Sequence, residues 1–339
     1  MPLSFGLRVP AVGRPQHTAD FARRLESAGL DFMWMPDTPL LAGLWRDVYL
    51  HLACAAMATA ALRLGPGVTT LVTRHPVTTA SLLVTLDELS DGRADLVAGT
   101  GYSSAHVIGE KPGTLAAMAA ATRLWRGIFR GERTDLGGLE IALPARRPRL
   151  PIYLAATGPR MLELAGEIAD GVLIYVGVAP GAVRWALDRV EAGMRRAGRR
   201  RQEVRRIVVA EARIDADKPR AIDHMRPCVA RLYRQRHLRE LTEAAGLPPL
   251  APPPGPLPRP YPDLAHPLDW EEARRATAFI PDALVDAMVL AGPGEEVAER
   301  VRGLAALDID AIWWRDEASY ARPEALLAAL SGAVLPRLR

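Results

Sequence analysis

Apolar residues recur along this chain with two periods, one typical of buried strands and one typical of amphipathic helices. Asp31–Pro36 is short and apolar through its middle, as expected for a strand whose two faces are both covered in a parallel sheet. Val297, Val301 and Leu304 recur at i, i+4 and i+7, which is the spacing of one helix face. Segments of the two kinds alternate from the first residues to the last, so the pattern predicts an α/β fold.

The same reasoning predicts eight strands, at Leu3–Val9, Asp31–Pro36, Leu64–Leu71, Ala94–Ala98, Pro151–Ala155, Gly171–Val176, Val204–Ile214 and Ile309–Trp314. Helices are predicted between them, among them Tyr49–Ala61, Leu115–Arg130 and a final helix over Pro323–Leu335. Thr18 is expected to cap the first helix and Gly29 to end it. This alternation favours a (β/α)₈ TIM barrel with insertions over an open doubly wound sheet, although periodicity alone does not decide between them.

A proline-rich segment interrupts the pattern in the last third of the chain. Ten of the 20 residues from Pro248 to Pro267 are proline, which excludes a helix or a central strand and favours partly polyproline II structure. We therefore expect a single domain over residues 1–339 with an insertion at 246–270. Two interpretations of the insertion stay open, a lid over a substrate site or a stiff surface loop.

Composition and charge narrow the possible partners. About half of the residues are apolar, which allows a large core, and the formal net charge is only +4. Lys111 and Lys218 are the only lysines, so arginine supplies nearly all of the positive charge. Arginine runs such as Arg199–Arg201 have no interleaved aromatic residues, and we interpret them as solvated helix ends. No nucleic-acid partner is predicted.

Cysteine, histidine and hydropathy patterns predict a soluble cytoplasmic protein that binds no metal. Cys54 and Cys228 are the only cysteines, and they form no CxxC motif or disulfide framework. The seven histidines show no ligand spacing for a metal site. No apolar run is long enough to span a bilayer, so no membrane partner is expected. A small-molecule substrate is the expected partner, and a homodimer is left open.

Four motif-bearing segments follow one another along the chain: Leu64–Arg93, Gly99–Gly101, Pro151–Gly171 and Leu284–Val297. In this order they resemble the bacterial luciferase-like superfamily of flavin- and deazaflavin-dependent oxidoreductases, and most of all its methylenetetrahydromethanopterin reductase-like branch. The resemblance covers most of the chain except residues 216–270. It implies a (β/α)₈ barrel that binds FMN or the deazaflavin F420 at the carboxyl ends of its strands.

The resemblance also implies which residues hold the ring of the cofactor. Gly67, Val68 and Thr69 correspond to a bulge with a non-proline cis peptide behind the ring, and we predict that peptide between Gly67 and Val68. Thr100 and Gly101 follow the fourth strand, where small residues let a planar ring approach the backbone. A Rossmann fingerprint is disfavoured there because the third glycine is missing.

A second group of residues is predicted to hold the cofactor phosphate. Ala156, Thr157, Gly158, Pro159 and Arg160 join the fifth strand to a helix, and a helix N-terminus is a natural anion site. Arg160 could add a positive charge there, and an ordinary turn with proline at the first helical position is the alternative.

Tyr175 and Gly177, which follow the sixth strand, are assigned to the cofactor as well.

Asp37, Thr38 and Tyr102 are the catalytic candidates. Some deazaflavin-dependent dehydrogenases of the resembled superfamily carry a histidine base where this chain has Thr38, which argues against strong base catalysis at that position. Tyr102 can donate a proton from its hydroxyl. Trp313 is predicted to wall the substrate site, and Arg213 to contact substrate or to form an ion pair within the barrel.

These assignments predict an F420-dependent oxidoreductase that transfers a hydride between reduced deazaflavin and a small organic substrate. An FMN-dependent luciferase-like monooxygenase is the alternative. A more remote alternative is an α/β-hydrolase, because Gly101–Ala105 is similar to a nucleophile elbow, but it ends in alanine and has no obvious histidine partner. A barrel that binds a ligand without catalysis also remains open.

Overall fold

The computed structural model describes residues 2–143, 150–256, 262–263, 266–317 and 319–339. The predicted insertion at 246–270 is therefore described in part, and its residues 257–261, 264 and 265 lie outside the described residues. The described strands are β1 (Ser4–Arg8), β2 (Phe32–Met35), β3 (Arg63–Thr70), β4 (Leu96–Gly99), β5 (Thr134–Asp135), β6 (Glu140–Ile141), β7 (Ile152–Ala156), β8 (Gly171–Ile174), β9 (Arg205–Ile214), β10 (Leu290–Gly292) and β11 (Ala311–Arg315).

The helices of the described residues lie mostly between these strands. They are α1 (Pro15–Ser27), α2 (Val48–Ala58), α3 (Pro76–Leu89), α4 (Tyr102–Val107), α5 (Leu115–Phe129), α6 (Pro159–Ile168), α7 (Pro180–Arg196), α8 (Lys218–Ala230), α9 (Leu238–Ala244), α10 (Trp270–Ala276), α11 (Asp282–Met288), α12 (Gly294–Ala305) and α13 (Glu324–Ala329). Within the described ranges, no helix combines the length and apolar character needed to cross a bilayer.

Eight parallel strands close into a barrel. Along the sheet, β9, β11, β1, β2, β3, β4, β7 and β8 are neighbours in that order, and β8 pairs back with β9. Gly6 of β1 lies opposite Phe32 of β2 on one side and opposite Trp313 of β11 on the other. The first strand of the barrel therefore pairs with both the second strand and the last one. This topology confirms the predicted (β/α)₈ barrel. All eight barrel strands are paired on both sides, which leaves the barrel without an open edge.

Aromatic side chains fill the interior of the barrel below the site described in the next section. The ring centroid of Trp34 lies 4.4 Å from that of Phe32, 5.4 Å from that of Tyr153 and 5.8 Å from that of Trp313. Trp34 is fully buried, and its indole nitrogen donates a hydrogen bond of 2.9 Å to Asp95. A buried indole N–H needs a hydrogen-bond acceptor, and Asp95 supplies one here.

Local boundaries differ from the sequence prediction in a few places. Helix α1 begins at Pro15, in the first helical position that proline favours, and not at Thr18. Thr18 is a buried residue inside the helix, and its hydroxyl lies 2.7 Å from Nδ1 of His51. Gly29, with φ of +78°, follows the end of the helix as predicted. The Thr18 hydroxyl therefore contacts the ring of His51 and does not cap the helix.

Two smaller elements stand outside the barrel. A hairpin of β5 and β6 surrounds Gly137 and Gly138, where the sequence predicts a short excursion. The sequence did not predict β10, which pairs with the Ala212–Ile214 end of β9. The final helix also ends earlier than predicted, because a wider π turn follows it at Leu330–Val334.

Candidate active site

A cavity of about 570 Å³ opens at the carboxyl ends of the barrel strands, and its size is typical of a small-molecule site. Barrels place their sites on this face because the loops that follow the strands converge there. Ten of the predicted site residues line the cavity: Thr38, Gly67, Val68, Thr100, Gly101, Tyr102, Ala156, Thr157, Tyr175 and Trp313. Residues that are distant in the sequence therefore lie together at the carboxyl ends of the strands, where the motifs predicted a site.

The end of β3 forms a bulge that brings Val68 into the cavity. The peptide between Gly67 and Val68 is cis, as predicted, and the register with β4 shifts between Gly67 and Thr69. A Cβ added at Gly67 would lie 2.6 Å from Cβ of Trp34, so this position has room only for glycine. Thr69 itself is buried and does not line the cavity.

One side of the cavity, which we call the small-residue wall, consists of short side chains from β3, β4, β7 and the turns that follow them. Its residues are Gly67, Val68, Gly99, Thr100, Gly101, Ala155, Ala156 and Thr157. Gly101 has φ of +81°, and a Cβ there would lie 2.8 Å from the side chain of Thr70. The wall is thus uncharged and formed by small side chains.

The facing side, which we call the charged wall, consists of Arg8, Tyr175, Arg231 and Arg315. The hydroxyl of Tyr175 donates to Oε1 of Glu211 at 2.6 Å and accepts from Nη1 of Arg315 at 2.9 Å. The guanidinium of Arg231 lies 3.6 Å from the ring centroid of Tyr175 and donates to Glu211 at 3.3 Å. Stacking on the ring holds this guanidinium in one orientation.

Burial and mutual repulsion set the protonation of the charged wall. Burial, followed by the charge of Arg315, lowers the pKa of Arg8 to about 9. Burial acts to raise the pKa of Glu211, but Arg231 and Arg315 outweigh it and hold that pKa below its ordinary value. Glu211 is therefore an anion at neutral pH, and it binds the arginines together from behind the cavity surface.

Asp37, one of the three catalytic candidates, does not line the cavity. Its carboxylate is buried, accepts a hydrogen bond of 2.8 Å from the Thr69 hydroxyl and lies 3.0 Å from Nε of Arg74. Arg74 also pairs with Asp47 at 2.8 Å, so Asp37 belongs to a structural ion-pair network. Thr38 and Tyr102 do line the cavity, the former buried and the latter exposed.

The residues of the predicted phosphate site lie around the start of α6. Gly158 is the N-cap of α6 and Pro159 its first residue, while Thr157 lines the cavity. Arg160 does not line the cavity: its exposed side chain lines a separate depression beside Glu163. Phosphate binding at this turn stays a prediction.

His237 and Gln235 lie next to this turn, at the cavity surface where Arg160 was predicted. Both line the cavity, and the ring of His237 would be 3.5 Å from a Cβ at Gly158. Burial lowers the pKa of His237, so its ring is neutral at physiological pH. Nε2 of His237 and Oε1 of Gln235 are buried without a hydrogen-bond partner among the described residues. No motif surrounds them, and only the fold reveals them.

Two further predicted residues lie outside the cavity. Gly177 has φ of +90°, and a Cβ there would lie 2.4 Å from the sulfur of Met288, so it is a packing position. Arg213 pairs with Glu317 at 2.7 Å, which favours the ion-pair interpretation over substrate contact. Trp313 lines the cavity, while Trp314 is fully buried in the core.

The hydrolase alternative loses its geometric basis. Oγ of Ser103 lies 3.4 Å from Nδ1 of His266, and the same Nδ1 lies 3.1 Å from Asp263. A nucleophile and an orienting carboxylate must engage different ring nitrogens for the histidine to act as a base. Burial also lowers the pKa of His266 to about 4. His266 belongs to the proline-rich insertion and lines the cavity, so part of the insertion reaches the site.

Comparison with known proteins agrees with this architecture. The sequence matches the profile described as luciferase-like monooxygenase over residues 4–311. The chain belongs to this family. It is 35% identical over 230 residues to a 5,10-methylenetetrahydromethanopterin reductase of Methanolobus tindarius, an alignment that spans 65% of this chain and 68% of the relative.

Two further matches support the same grouping. The chain is 30% identical over 248 residues to an F420-dependent glucose-6-phosphate dehydrogenase of Nakamurella multipartita, which covers 66% of this chain and 72% of the relative. The structure superposes on that of the coenzyme F420 dependent tetrahydromethanopterin reductase from Methanopyrus kandleri with a TM-score of 0.78, 22% identity and full coverage of both chains. The protein is an oxidoreductase of the luciferase-like family.

Proposed function

We propose that this protein is an F420-dependent oxidoreductase that transfers a hydride between reduced deazaflavin and a small organic substrate. The observation that carries the proposal is the small-residue wall, which ends beside the N-terminus of α6 and faces a charged wall across the cavity. Relatives named for F420 chemistry support the choice of cofactor.

The residues of the small-residue wall fit a planar cofactor with a phosphate. Val68 would support one face of the ring, since the bulge of β3 brings it into the cavity. The N-terminus of α6 at its Gly158 cap, together with Thr157, would hold the phosphate. An anion at this position would favour the imidazolium form of His237, in which Nε2, which has no partner among the described residues, can donate to the same group. Reduced F420 supplies a hydride when bound.

The side chains around the substrate position supply orientation and a proton. Tyr102 carries an exposed hydroxyl at the mouth of the cavity, and Thr38 places a second hydroxyl beside the bulge. Either can exchange the proton that accompanies reduction of a carbonyl or oxidation of an alcohol. Asp37 acts as a positioning residue, because it holds Thr69 and Arg74 below the mouth. Holding two reactants in contact can supply several kcal/mol of the barrier without a strong base.

Cofactor titration tests this proposal. Fluorescence quenching is measured with F420 and, in parallel, with FMN, and we expect tighter binding of F420. Tighter binding of FMN, accompanied by oxygen uptake that depends on reduced flavin, would assign the protein to the monooxygenases instead. That alternative shares the fold and the family description.

Isotope transfer tests the hydride step itself. Stereospecifically deuterated reduced F420 is incubated with the protein and a substrate identified by turnover. Deuterium on the product carbon is the expected result, because the small-residue wall leaves one ring face toward the substrate. Product labelled only from solvent would rule out direct transfer.

A further inference from the structure

Three arginines from distant parts of the chain meet on one side of the cavity. Arg8 ends β1, Arg315 ends β11, and Arg231 follows α8. All three line the cavity, and its lining among the described residues includes no aspartate or glutamate. The surface that a bound molecule would meet on this side is therefore cationic.

The carboxylates near this surface lie outside the cavity lining. Glu211 contacts Arg231 and Arg315, and the charge of Asp263 also acts on Arg315. Asp316 is the next residue after Arg315, and burial, followed by the charge of Glu317, raises its pKa to about 7. Asp316 therefore carries only part of a charge at neutral pH. A ligand that enters the cavity meets the guanidiniums and not these carboxylates.

Arg231 is the arginine best placed to reach a ligand. Its side chain is 17% exposed, and its plane is held on the ring of Tyr175. Its Nε is buried without a hydrogen-bond partner among the described residues, although Nη2 donates to Glu211. A buried donor without a partner costs free energy unless a ligand supplies the acceptor. A guanidinium fork presents paired donors that match a carboxylate or a phosphate.

We propose that the charged wall binds an acidic group of the substrate, so that the substrate is a carboxylate or phosphate ester that also bears an alcohol or carbonyl. This inference rests on the proposed function, because it places the acidic compound opposite the small-residue wall that receives the cofactor. Arg8, Arg231 and Arg315 hold the acidic group, and the reacting carbon lies toward the centre of the cavity between the two walls.

Anion binding to the F420-loaded protein tests the proposal. Protein saturated with F420 is titrated calorimetrically with inorganic phosphate, with acetate and with glycerol as a neutral probe. Phosphate or acetate binds and glycerol does not. The preferred anion tells whether the substrate carries a phosphate or a carboxylate. Arg231→Gln weakens binding of that anion at least about tenfold, or about 1.4 kcal/mol, while binding of F420 changes less than about twofold.

Two variants serve as controls. Arg126→Gln removes an arginine that is 26% exposed and paired with Asp170 at 2.9 Å, outside the cavity lining, and it leaves anion binding unchanged. Arg231→Lys keeps the charge and loses the fork, so it gives an intermediate affinity and remains informative if Arg231→Gln fails to fold.

Other outcomes overturn the inference. Absence of phosphate and acetate binding, or equal affinity in wild type and Arg231→Gln, shows that the arginines are structural. Phosphate that displaces F420 shows that the arginines hold the cofactor tail. A protein that does not bind F420 contradicts the proposed function alone, because the anion titration can then be run without the cofactor.

Discussion

The two walls of the cavity differ in how their residues come together. The small-residue wall is built from β3, β4 and β7 and from the turns directly after them, so each of its segments is local in sequence. The charged wall is built from Arg8, Tyr175, Arg231 and Arg315, and Glu211 contacts the last three of these residues. The small-residue wall depends on small side chains and backbone shape, and the charged wall depends on the balance of its charges.

This difference predicts different responses to substitution. Enlarging Ala155 of the small-residue wall should block ligand binding and leave the fold intact, since the cavity takes up the added volume. Removing a partner from the charged wall should destabilise the fold, because a buried charged group that loses its partner is costly. The following expectations test that comparison, from the largest effect to the smallest.

The largest effect concerns His266, which packs beside the charged wall. Burial lowers its pKa to about 4, with Arg315 and Arg8 adding to the effect and Asp263 opposing it. The folded protein therefore keeps the ring neutral, while the unfolded chain takes up a proton near pH 6.5. The contribution to stability is complete above that pH and falls by roughly 3 kcal/mol as the pH drops toward 4.

Urea unfolding between pH 7 and pH 4.5 measures this dependence. His266→Asn should flatten the curve relative to wild type, whereas His17→Asn, at an exposed position, should not. Parallel curves for wild type and His266→Asn would mean that the ring is not kept neutral by the fold.

The next effect is on the small-residue wall. Ala155→Phe adds a ring to the cavity surface contributed by β7. We expect F420 affinity to fall by about 2 kcal/mol, or about 30-fold, because the added volume occupies the place of the cofactor ring. Fluorescence titration measures the affinity, and Ala120→Phe on the exposed face of α5 is the matched control. Unchanged affinity in Ala155→Phe would place the ring elsewhere in the cavity.

Tyr175→Phe tests the charged wall. The change removes the hydroxyl that donates to Glu211 and accepts from Arg315. The free energy of unfolding should fall by about 1.5 kcal/mol, since a buried carboxylate loses a donor. Tyr233→Phe, away from the cavity lining, should have a smaller effect in the same urea titration. Equal effects would show that the network does not depend on Tyr175.

The smallest effect distinguishes two candidates for the phosphate. His237→Ala should weaken F420 binding about tenfold, or about 1.4 kcal/mol, because the ring of His237 lies beside the start of α6 and its Nε2 has no hydrogen-bond partner among the described residues. Arg160→Ala should leave the affinity unchanged, since Arg160 lines a depression outside the barrel. The reverse result would restore Arg160 as the phosphate ligand.

The comparison also explains which site residues could be predicted. Gly67, Gly101 and Thr157 belong to motifs within single strand-to-turn segments, and periodicity places the ends of those strands. Arg231 and His237 belong to no such motif, and their approach to the cavity depends on how the helices after β9 pack.

Asp37 is a residue whose position was predicted from the sequence but whose role was not. Its position after β2 is correct, but its role depends on Arg74, which the sequence does not pair with it. The choice between lid and surface loop for the insertion at 246–270 stays a prediction, as does a homodimer.

By itself, the sequence determined the alternation of strands and helices, and the family resemblance of its motifs implied the barrel and the small residues of one wall. Hydrophobic period and short motifs are local properties of the chain, so neither needs the fold to be recognised. Tertiary structure alone decided the charged wall, the burial of Asp37 and the positions of His237 inside and Arg160 outside the cavity lining. Electrostatic and hydrogen-bond partners act over a few ångströms of space, whatever their separation in sequence, so only the folded chain assigns them.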